Sequence, residues 1–513
     1  MDIFTCLLCL VLILCISIQA FNSLANPRSR KQLPPGPKPL PIIGNFLEFG
    51  DKPHKSSARL SKSYGPLISL KLGRVTTIVV SSPIMAKEVL QVHGQFFSNR
   101  PILDSARASN HVHLSIISLP VSTLWRELRK ICNVHLLAAR VLNANMNLRH
   151  NKVEELLCDV RKSAEAGEAV EIGKAAFRAS LNLLSTTFFS MELADTNSNT
   201  VREFKETVRG FIDELGKPNL ADFFPFLRKI DPQGIRRRTD FHFRKMLDLF
   251  DCIINERLQL REVSGSVKDN DILDTLIDMM VIGEEKSAHD QIDKTIIEHL
   301  LLDIFAAGTE TTSSTLEWSM AELLKAPEIL SRAQAELKQV IGKGNQVKES
   351  DITRLPYLQA VVKETLRLHP AAPLMVPRKA ENDVEVCGYT IPKDSQLLVN
   401  VWAMGRDPNI WENPHKFMPE RFLKLNIDVL GHDFELIPFG AGRRICPGLP
   451  LATRMLHLML GSLCSTFLWN SENGIFHRPE TMNMAHKFGL TLQMSLKALK
   501  LFPRVKLISI KSE

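Results

Sequence analysis

One ten-residue run, Phe439-Gly440-Ala441-Gly442-Arg443-Arg444-Ile445-Cys446-Pro447-Gly448, restricts this chain more than any other stretch. It fits the pattern F-x-x-G-x-R-x-C-x-G. Its glycines let the backbone turn tightly and come close to a flat partner, because no Cβ intervenes. Arg444 offers a rigid guanidinium fork suited to a carboxylate. Downstream, Leu449–Trp469 is apolar and reads as a helix opened by Pro447 and Gly448, a proline being at home in the first helical position. The Cys446 sulfur then stands at a helix N-terminus, where free N–H groups and the dipole favour a thiolate. A buried structural cysteine in a Gly-rich turn is the plain alternative. It is disfavoured because a chance match to the whole pattern is rare.

The run resembles the haem-binding signature of the cytochrome P-450 family, the haem-thiolate monooxygenases, and further segments carry the same likeness. Glu364 and Arg367 stand at i, i+3 on a predicted helix, Leu355–His369, that stops at Pro370. The resemblance implies that this pair locks onto Pro419-Glu420-Arg421-Phe422, with Arg421 as the third member of a structural brace. Trp125 and Arg129 form a W-x-x-x-R at i, i+4. Ala307-Gly308-Thr309-Glu310-Thr311-Thr312 matches the family's oxygen-handling helix. The likeness runs from Pro34 to the C-terminus. It implies a mainly α fold with small β-sheets, preceded by one N-terminal transmembrane helix.

The resemblance assigns residues to tasks. Cys446 is the metal ligand of a haem b iron. Trp125, Arg129, Arg378, Phe439, Gly442, Arg444 and Gly448 line the cofactor, and Arg444 takes a propionate. Thr311 and Glu310 are the catalytic pair that delivers protons to bound O2. Small side chains at Ala306-Ala307-Gly308 leave room beside the iron. The Thr311 hydroxyl both donates and accepts, and it could instead bond back to the Ala307 carbonyl, freeing that group into a local bulge that holds water. Electrons are expected from NADPH through an NADPH-cytochrome reductase, whose acidic face would meet Lys130, Arg126 and Arg443.

Bulk properties are compatible with this. At 513 residues, length alone suggests about three domains, whereas the resemblance implies one large unit. The net charge of +8 suits an anionic membrane surface or an acidic protein. Nothing suggests nucleic acid, since basic-aromatic interleaving and zinc-finger spacing are both missing. Nine scattered cysteines do not make a disulfide framework. Cys6 and Cys9 lie in an apolar span without redox context, and His111 and His113 read as surface residues of a loop.

The apolar span Ile3–Phe21 covers about 28 Å, close to a bilayer core. Arg28, Arg30 and Lys31 follow it, which puts the downstream chain in the cytosol by the positive-inside rule. A cleaved signal peptide is the weaker alternative. The expected organisation is a transmembrane anchor over 1–22, a basic and proline-rich hinge over 23–45, and a haem-thiolate domain over 46–513. The expected location is the endoplasmic reticulum membrane, single-pass, with membrane lipid as a partner. Strands are predicted over Leu67–Leu72 and Val75–Val80, joined at Gly73-Arg74, and over Val384–Thr390 and Gln396–Val401. A long helix is predicted from Gln291 to about Lys325, and a loop over Val263–Asp271. Phe223, Phe224 and Phe226, followed by Arg236-Arg237-Arg238, read equally as a core cluster with a solvated helix start or as a membrane-dipping lid.

Substrate is less constrained. The phrases Ala307–Trp318, Phe434–Pro450 and Gly216–Gly234 resemble the plant microsomal group that includes geraniol 8-hydroxylases, ferruginol-forming oxidases and betalain-pathway tyrosine hydroxylases. Pocket walls are expected from Ile102–Leu119, Phe204–Leu215, Leu302–Thr311, Ala371–Val376 and Phe488–Leu492. Few charges lie there, so a small hydrophobic terpenoid is favoured over an aromatic amino acid, whose zwitterion needs charge partners. A haem-thiolate hydroperoxide isomerase or lyase would keep the cysteine without needing the Glu310–Thr311 pair. A non-catalytic haem sensor would not explain the anchor and hinge.

Overall fold

The segment Lys294–Lys325 is hydrophobic on nearly every side, and a helix of that kind belongs in a protein interior. In the computed structural model it is one continuous helix through the middle of the molecule. The model describes residues 32–193, 199–264, 271–283, 292–342, 344–470, 486–487, 493–494 and 500–505. Asp293 starts this central helix by accepting the Ile296 N–H at 2.7 Å. Helices Ile172–Phe189, Ile235–Ser264 and Leu449–Thr466 pack against it. One apolar core joins Met146–Ala166, Ile172–Phe189, Pro356–Leu368 and Leu449–Thr466 around Trp411. A second, rich in aromatic rings, gathers Phe188, Phe189, Phe250 and Phe305.

The largest sheet has the strand order Leu67–Leu72, Val75–Val80, Gln396–Val399, Arg378–Lys379. Leu72 faces Val75 across the two-residue turn at Gly73-Arg74. Gly73 has φ +54°, and a Cβ there would stand 2.9 Å from the Phe223 carbonyl oxygen and from the Phe224 ring. The sheet carries Arg378 on its last strand, and a bridge from Asn99 to Lys379 lays Arg100 beside it.

Several boundaries differ from the sequence reading. Val384–Thr390 is a tight hairpin: Val384–Val386 pairs with Tyr389–Ile391 around Cys387 and Gly388, both at positive φ. The strand from Gln396 stops at Val399, because the Asn400 side chain caps a short helix, Val401–Met404, through the Ala403 N–H. The helix after the cysteine run begins at Leu449, so Pro450 sits in its first turn and Pro447 remains in the loop. It ends at Thr466, where Phe467–Asn470 turns to strand. Helix Ile235–Ser264 covers the start of the expected loop, whose residues 265–270 lie outside the described ones. The apolar run Ile3–Phe21 and the basic residues up to Lys31 also lie outside them. Among the described residues no helix is long and apolar enough to cross a membrane.

Candidate active site

The cysteine run forms a loop whose glycines are used. Gly440 and Gly442 have φ of +79° and +68°, and a Cβ on Gly442 would lie 2.3 Å from the Leu90 carbonyl oxygen. The Cys446 N–H donates to the Phe439 carbonyl at 2.9 Å, closing the loop. Burial pushes the Cys446 thiol above its usual range, while the Gly448 and Leu449 N–H groups and the Arg129 charge favour the thiolate. Burial wins, so the helix terminus alone does not keep this sulfur ionised. Coordination to a metal would, because a ligating thiol is deprotonated outright. The Cys446 side chain is exposed, although the protein around it is dense enough for burial to raise its thiol.

Four guanidinium groups, those of Arg100, Arg129, Arg378 and Arg444, crowd the same region; burial lowers all four, and arginine neighbours add to it at Arg100 and Arg444. Burial and two arginine neighbours push Arg100 well below its ordinary value. Burial takes Arg378 to about 10, and burial with Arg378 and Arg129 takes Arg444 to about 9. Among the described residues none of the four has a carboxylate partner. Their hydrogen bonds go to backbone carbonyls instead: Arg444 to Ser98, Ile116 and Leu119, Arg378 to Ala441 and Phe97, Arg100 to Val376 and Pro377, and Arg129 to Ile445. The Arg100 Nε is buried without a partner. Trp125 supplies a ring face under Arg444 at 4.4 Å and near Arg129 at 5.8 Å, and its own N–H donates to the Ile116 carbonyl. Four clustered cations without a carboxylate partner, Arg378 and Arg444 buried and Arg100 and Arg129 half-buried, ask for an anion. A flat group with two carboxylates and a thiolate-seeking metal fits the set, and haem has that composition.

The central helix carries small side chains at Ala306-Ala307-Gly308. Ala307 is exposed and Thr311 half-buried, four residues apart on a helix whose Thr309, Glu310 and Thr312 are buried. The Thr311 hydroxyl donates to the Ala307 carbonyl at 2.7 Å. The expected bulge is missing: the helix stays α throughout, because the back-bond uses the Ala307 oxygen in place. Thr309, Thr315 and Ser319 bond back in the same way, so Thr311 belongs to a series of such bonds along this helix.

The brace is complete. Arg367 donates two bonds to the Glu364 carboxylate at 2.7 Å, and both side chains are fully buried. Arg421 donates to both oxygens of Glu364 at 3.2 Å, and the Met418 N–H adds a bond at 2.7 Å. Arg367 also reaches the carbonyls of Gly405, Pro414 and Lys416, with the Trp411 ring beneath it. The helix and the Pro419–Phe422 segment are thereby tied together as the resemblance implies.

Two site features were not legible in the sequence. Arg100 stands in no recognisable spacing, and its partners lie 276 and 277 residues away. His111 was read as a surface loop residue and is buried. Left-handed backbone at Ser109 and Asn110 turns it inward, where its Nδ1 meets His299 Nδ1 at 2.7 Å and its Nε2 meets Asp303 Oδ1 at 3.1 Å. His113 is exposed as expected. Arg126, Lys130 and Arg443 are exposed too, and Lys130 pairs with Glu127. Phe223 and Phe224 pack on Phe46 while Phe226 stays exposed. Arg236 and Arg238 are held by Asp104 and Glu214. The expected pocket wall Phe488–Leu492 lies outside the described residues.

The profile of the Cytochrome P450 family matches residues 34–493. The geraniol 8-hydroxylase of Catharanthus roseus is 52% identical over 493 residues, covering 96% of this chain and 98% of that protein. The geraniol 8-hydroxylase of Swertia mussotii is 53% identical over 475 residues, covering 93% and 94%. A zebrafish cytochrome P450 solved with progesterone superposes with a TM-score of 0.73 at 25% identity, covering 88% of this chain and 99% of that one.

Proposed function

The chain belongs to the cytochrome P450 family and is a haem-thiolate monooxygenase, and from that premise we propose that it hydroxylates a small hydrophobic terpenoid, with a geraniol-like monoterpenol as the first candidate. The observation that carries the site assignment is the convergence of four guanidinium groups that lack a carboxylate partner with the accessible sulfur of Cys446. Two curated relatives at more than half identity, each covered over more than nine-tenths of its length, are named for geraniol.

Cys446 would hold the iron, and Arg100, Arg129, Arg378, Arg444 and Trp125 would hold the propionates. The bound haem supplies the activation of dioxygen, and the thiolate favours O–O cleavage. The protein's own residues do the rest. Ala307, exposed on the central helix, would keep the space beside the iron free of side chain, while Gly308 lets Leu184 pack against that helix. Thr311 exchanges its bond to the Ala307 carbonyl for a hydrogen bond toward the oxygen site and hands on a proton, with Glu310 next to it as the acid. Reducing equivalents come from NADPH through a reductase on the face carrying Lys130, Arg126 and Arg443. Residues 1–22 anchor the enzyme to the endoplasmic reticulum, and the exposed Phe226 and Ile230 rest on the lipid. A tyrosine-type substrate is the second reading; it would need a cation in the substrate wall for its carboxylate.

The test is reconstitution with reductase and NADPH against geraniol, a diterpene hydrocarbon and tyrosine, with product identification. A hydroxylated terpenoid supports the reading, and turnover of tyrosine alone sinks it. Cys446→Ala should abolish the thiolate-type absorption band of the reduced carbon-monoxide complex; a retained band would remove Cys446 from the iron.

A further inference from the structure

Gly308 lies in the Ala307–Thr312 run of the central helix, yet the room left by its missing side chain is taken up from another helix. A Cβ at Gly308 would stand 2.9 Å from Leu184 Cδ1 and 3.9 Å from its Cγ and Cδ2. Leu184 belongs to Ile172–Phe189 and is 4% exposed. Four residues on, and so on the same face, Phe188 sets its ring edge-on against Phe305 of the central helix at 5.7 Å. Phe189 stacks on the same Phe305 ring at 5.4 Å. Further along the pair the relation is reversed: a Cβ at Gly173 would stand 2.9 Å from the Glu317 carboxyl group. The contacts of 173 with 317, 184 with 308 and 188 with 305 run in opposite order on the two helices, which therefore pack antiparallel. Each helix carries a glycine where the other's side chain seats. Glycine weakens a helix interior relative to alanine, and the close approach of Leu184 is what Gly308 permits in return. Leu184 has little room to swing aside, because Phe188 next to it is wedged against Phe305.

We infer that Leu184 is a positioning residue for the hydroxylation: seated on Gly308, it fixes where the Ala307–Thr311 strip of the central helix lies across the iron site. This rests on the role proposed for Thr311 and adds a residue that no motif contains. Around the helix, Ala307 and Thr311 lie about 40° apart, and Gly308 lies about 60° to one side of Thr311. Leu184 therefore bears on the flank of the strip, and a change at the joint moves the strip sideways. The Thr311 hydroxyl is bonded to the Ala307 carbonyl, so it travels with the backbone of that turn. A sideways error of about 1 Å at a proton-delivering group is enough to cost a reaction on the order of a hundredfold. Changes of opposite sense at the two residues should cancel. Gly308→Ala adds one carbon to the joint, and Leu184→Val removes one.

The test uses the full-length holoenzyme, with two readouts. One is product per NADPH with reductase and geraniol. The other is the infrared stretching band of carbon monoxide on the ferrous haem, which reports the groups beside the iron and needs no turnover. Gly308→Ala should keep its haem, alanine being the better helix former. Product per NADPH should fall about fivefold and the carbon-monoxide band should move. Leu184→Val alone should cost about twofold. The double variant should return to within about twofold of wild type, with the band back in place, a non-additivity that marks the two residues as one joint. Leu184→Phe enlarges the joint from the far helix and leaves the motif intact, so it should reproduce the fall and covers the case in which Gly308→Ala gives no holoprotein. Full coupling and an unmoved band in Gly308→Ala would overturn the inference, since Leu184 would simply have turned away. So would a double variant as impaired as Gly308→Ala, which would put Gly308 itself beside the oxygen. A loss of haem and thermal stability in Leu184→Phe with coupling and band unchanged would reduce the joint to packing and overturn it too. Failure of the role proposed for Thr311 would look different: full coupling in Thr311→Ala, independent of how the band responds at 184 and 308.

Discussion

Two buried arginine-rich regions of this molecule are built on opposite terms. Around Glu364, two guanidinium groups share one carboxylate, and carbonyls and a Trp411 face satisfy the remainder. Around Trp125, four guanidinium groups have no carboxylate among the described residues, and their charges lower the pKa of Arg100 and Arg444. The first is electrostatically closed within the chain. The second is completed only by something anionic from outside it. Burying charge is costly in both, but only in the second is that cost offset by a ligand. One region therefore serves folding, and the other converts folding energy into affinity for a dianion.

The largest break in this contrast is at the closed site. Glu364→Gln keeps the shape, removes the charge and strands two buried cations. We expect a loss of about 3–5 kcal/mol, seen as failure to recover soluble protein with a carbon-monoxide band. A normal yield of holoprotein would show that Arg367 and Arg421 are content with carbonyls alone. At the open site the sign should reverse with occupancy. Arg378→Met relieves repulsion, so the haem-free protein should gain about 1–2 kcal/mol in thermal unfolding, while haem should dissociate about tenfold faster. A variant less stable in both states would mean that the bond to the Ala441 carbonyl matters more than the charge.

Thr311→Ala lies next to the open site and tests chemistry more than stability. Haem content, the carbon-monoxide spectrum and ligand binding should persist. Product per NADPH should fall severalfold, with hydrogen peroxide appearing in its place. Full coupling would show that the back-bond to Ala307 is all that the hydroxyl does. The smallest effect is expected at His299. Its folded pKa of about 4 lies below the ordinary value of 6.5. The unfolded chain therefore binds its proton first as pH falls from 6.5 to 4, and stability declines across that window. His299→Phe should flatten the decline by on the order of 1 kcal/mol in a chemical denaturation series. An unchanged slope would mean that His299 is not the group being titrated.

How far the sequence could be read follows the same division. Glu364 and Arg367 were legible because helical spacing puts them on one face, and Arg421 because the family resemblance names Pro419-Glu420-Arg421-Phe422 as their partner. Cys446 and Arg444 stand in one short run with its own glycine geometry. Arg100 was not legible, because its neighbours are assembled by the pairing of Asn99 with Lys379 across the sheet edge. No local periodicity encodes such a contact. His111 was misread for a similar reason: two left-handed residues, Ser109 and Asn110, reverse the direction a loop histidine would take. The turn at Cys387-Gly388 hid inside a run of strand-forming residues, and only its positive φ values separate one strand from two. Proline was a good marker of the helix start but not of its position, since Pro447 and Pro450 both flank Leu449.

The tip of the first hairpin has a consequence for engineering. Gly73 leaves no room for a side chain beneath Phe223 and Phe224, and the Arg74 N–H donates to the Phe223 carbonyl at 3.0 Å. The exposed aromatic turn at 220–230 is thus riveted to the Gly73-Arg74 tip at the edge of the largest sheet, more than a hundred residues earlier. Exchanging that turn with a relative's, to change what the enzyme admits, would transplant only half of a joint. A chimera should carry the 72–75 turn along with the 220–230 segment, since the two fit as one piece of hardware.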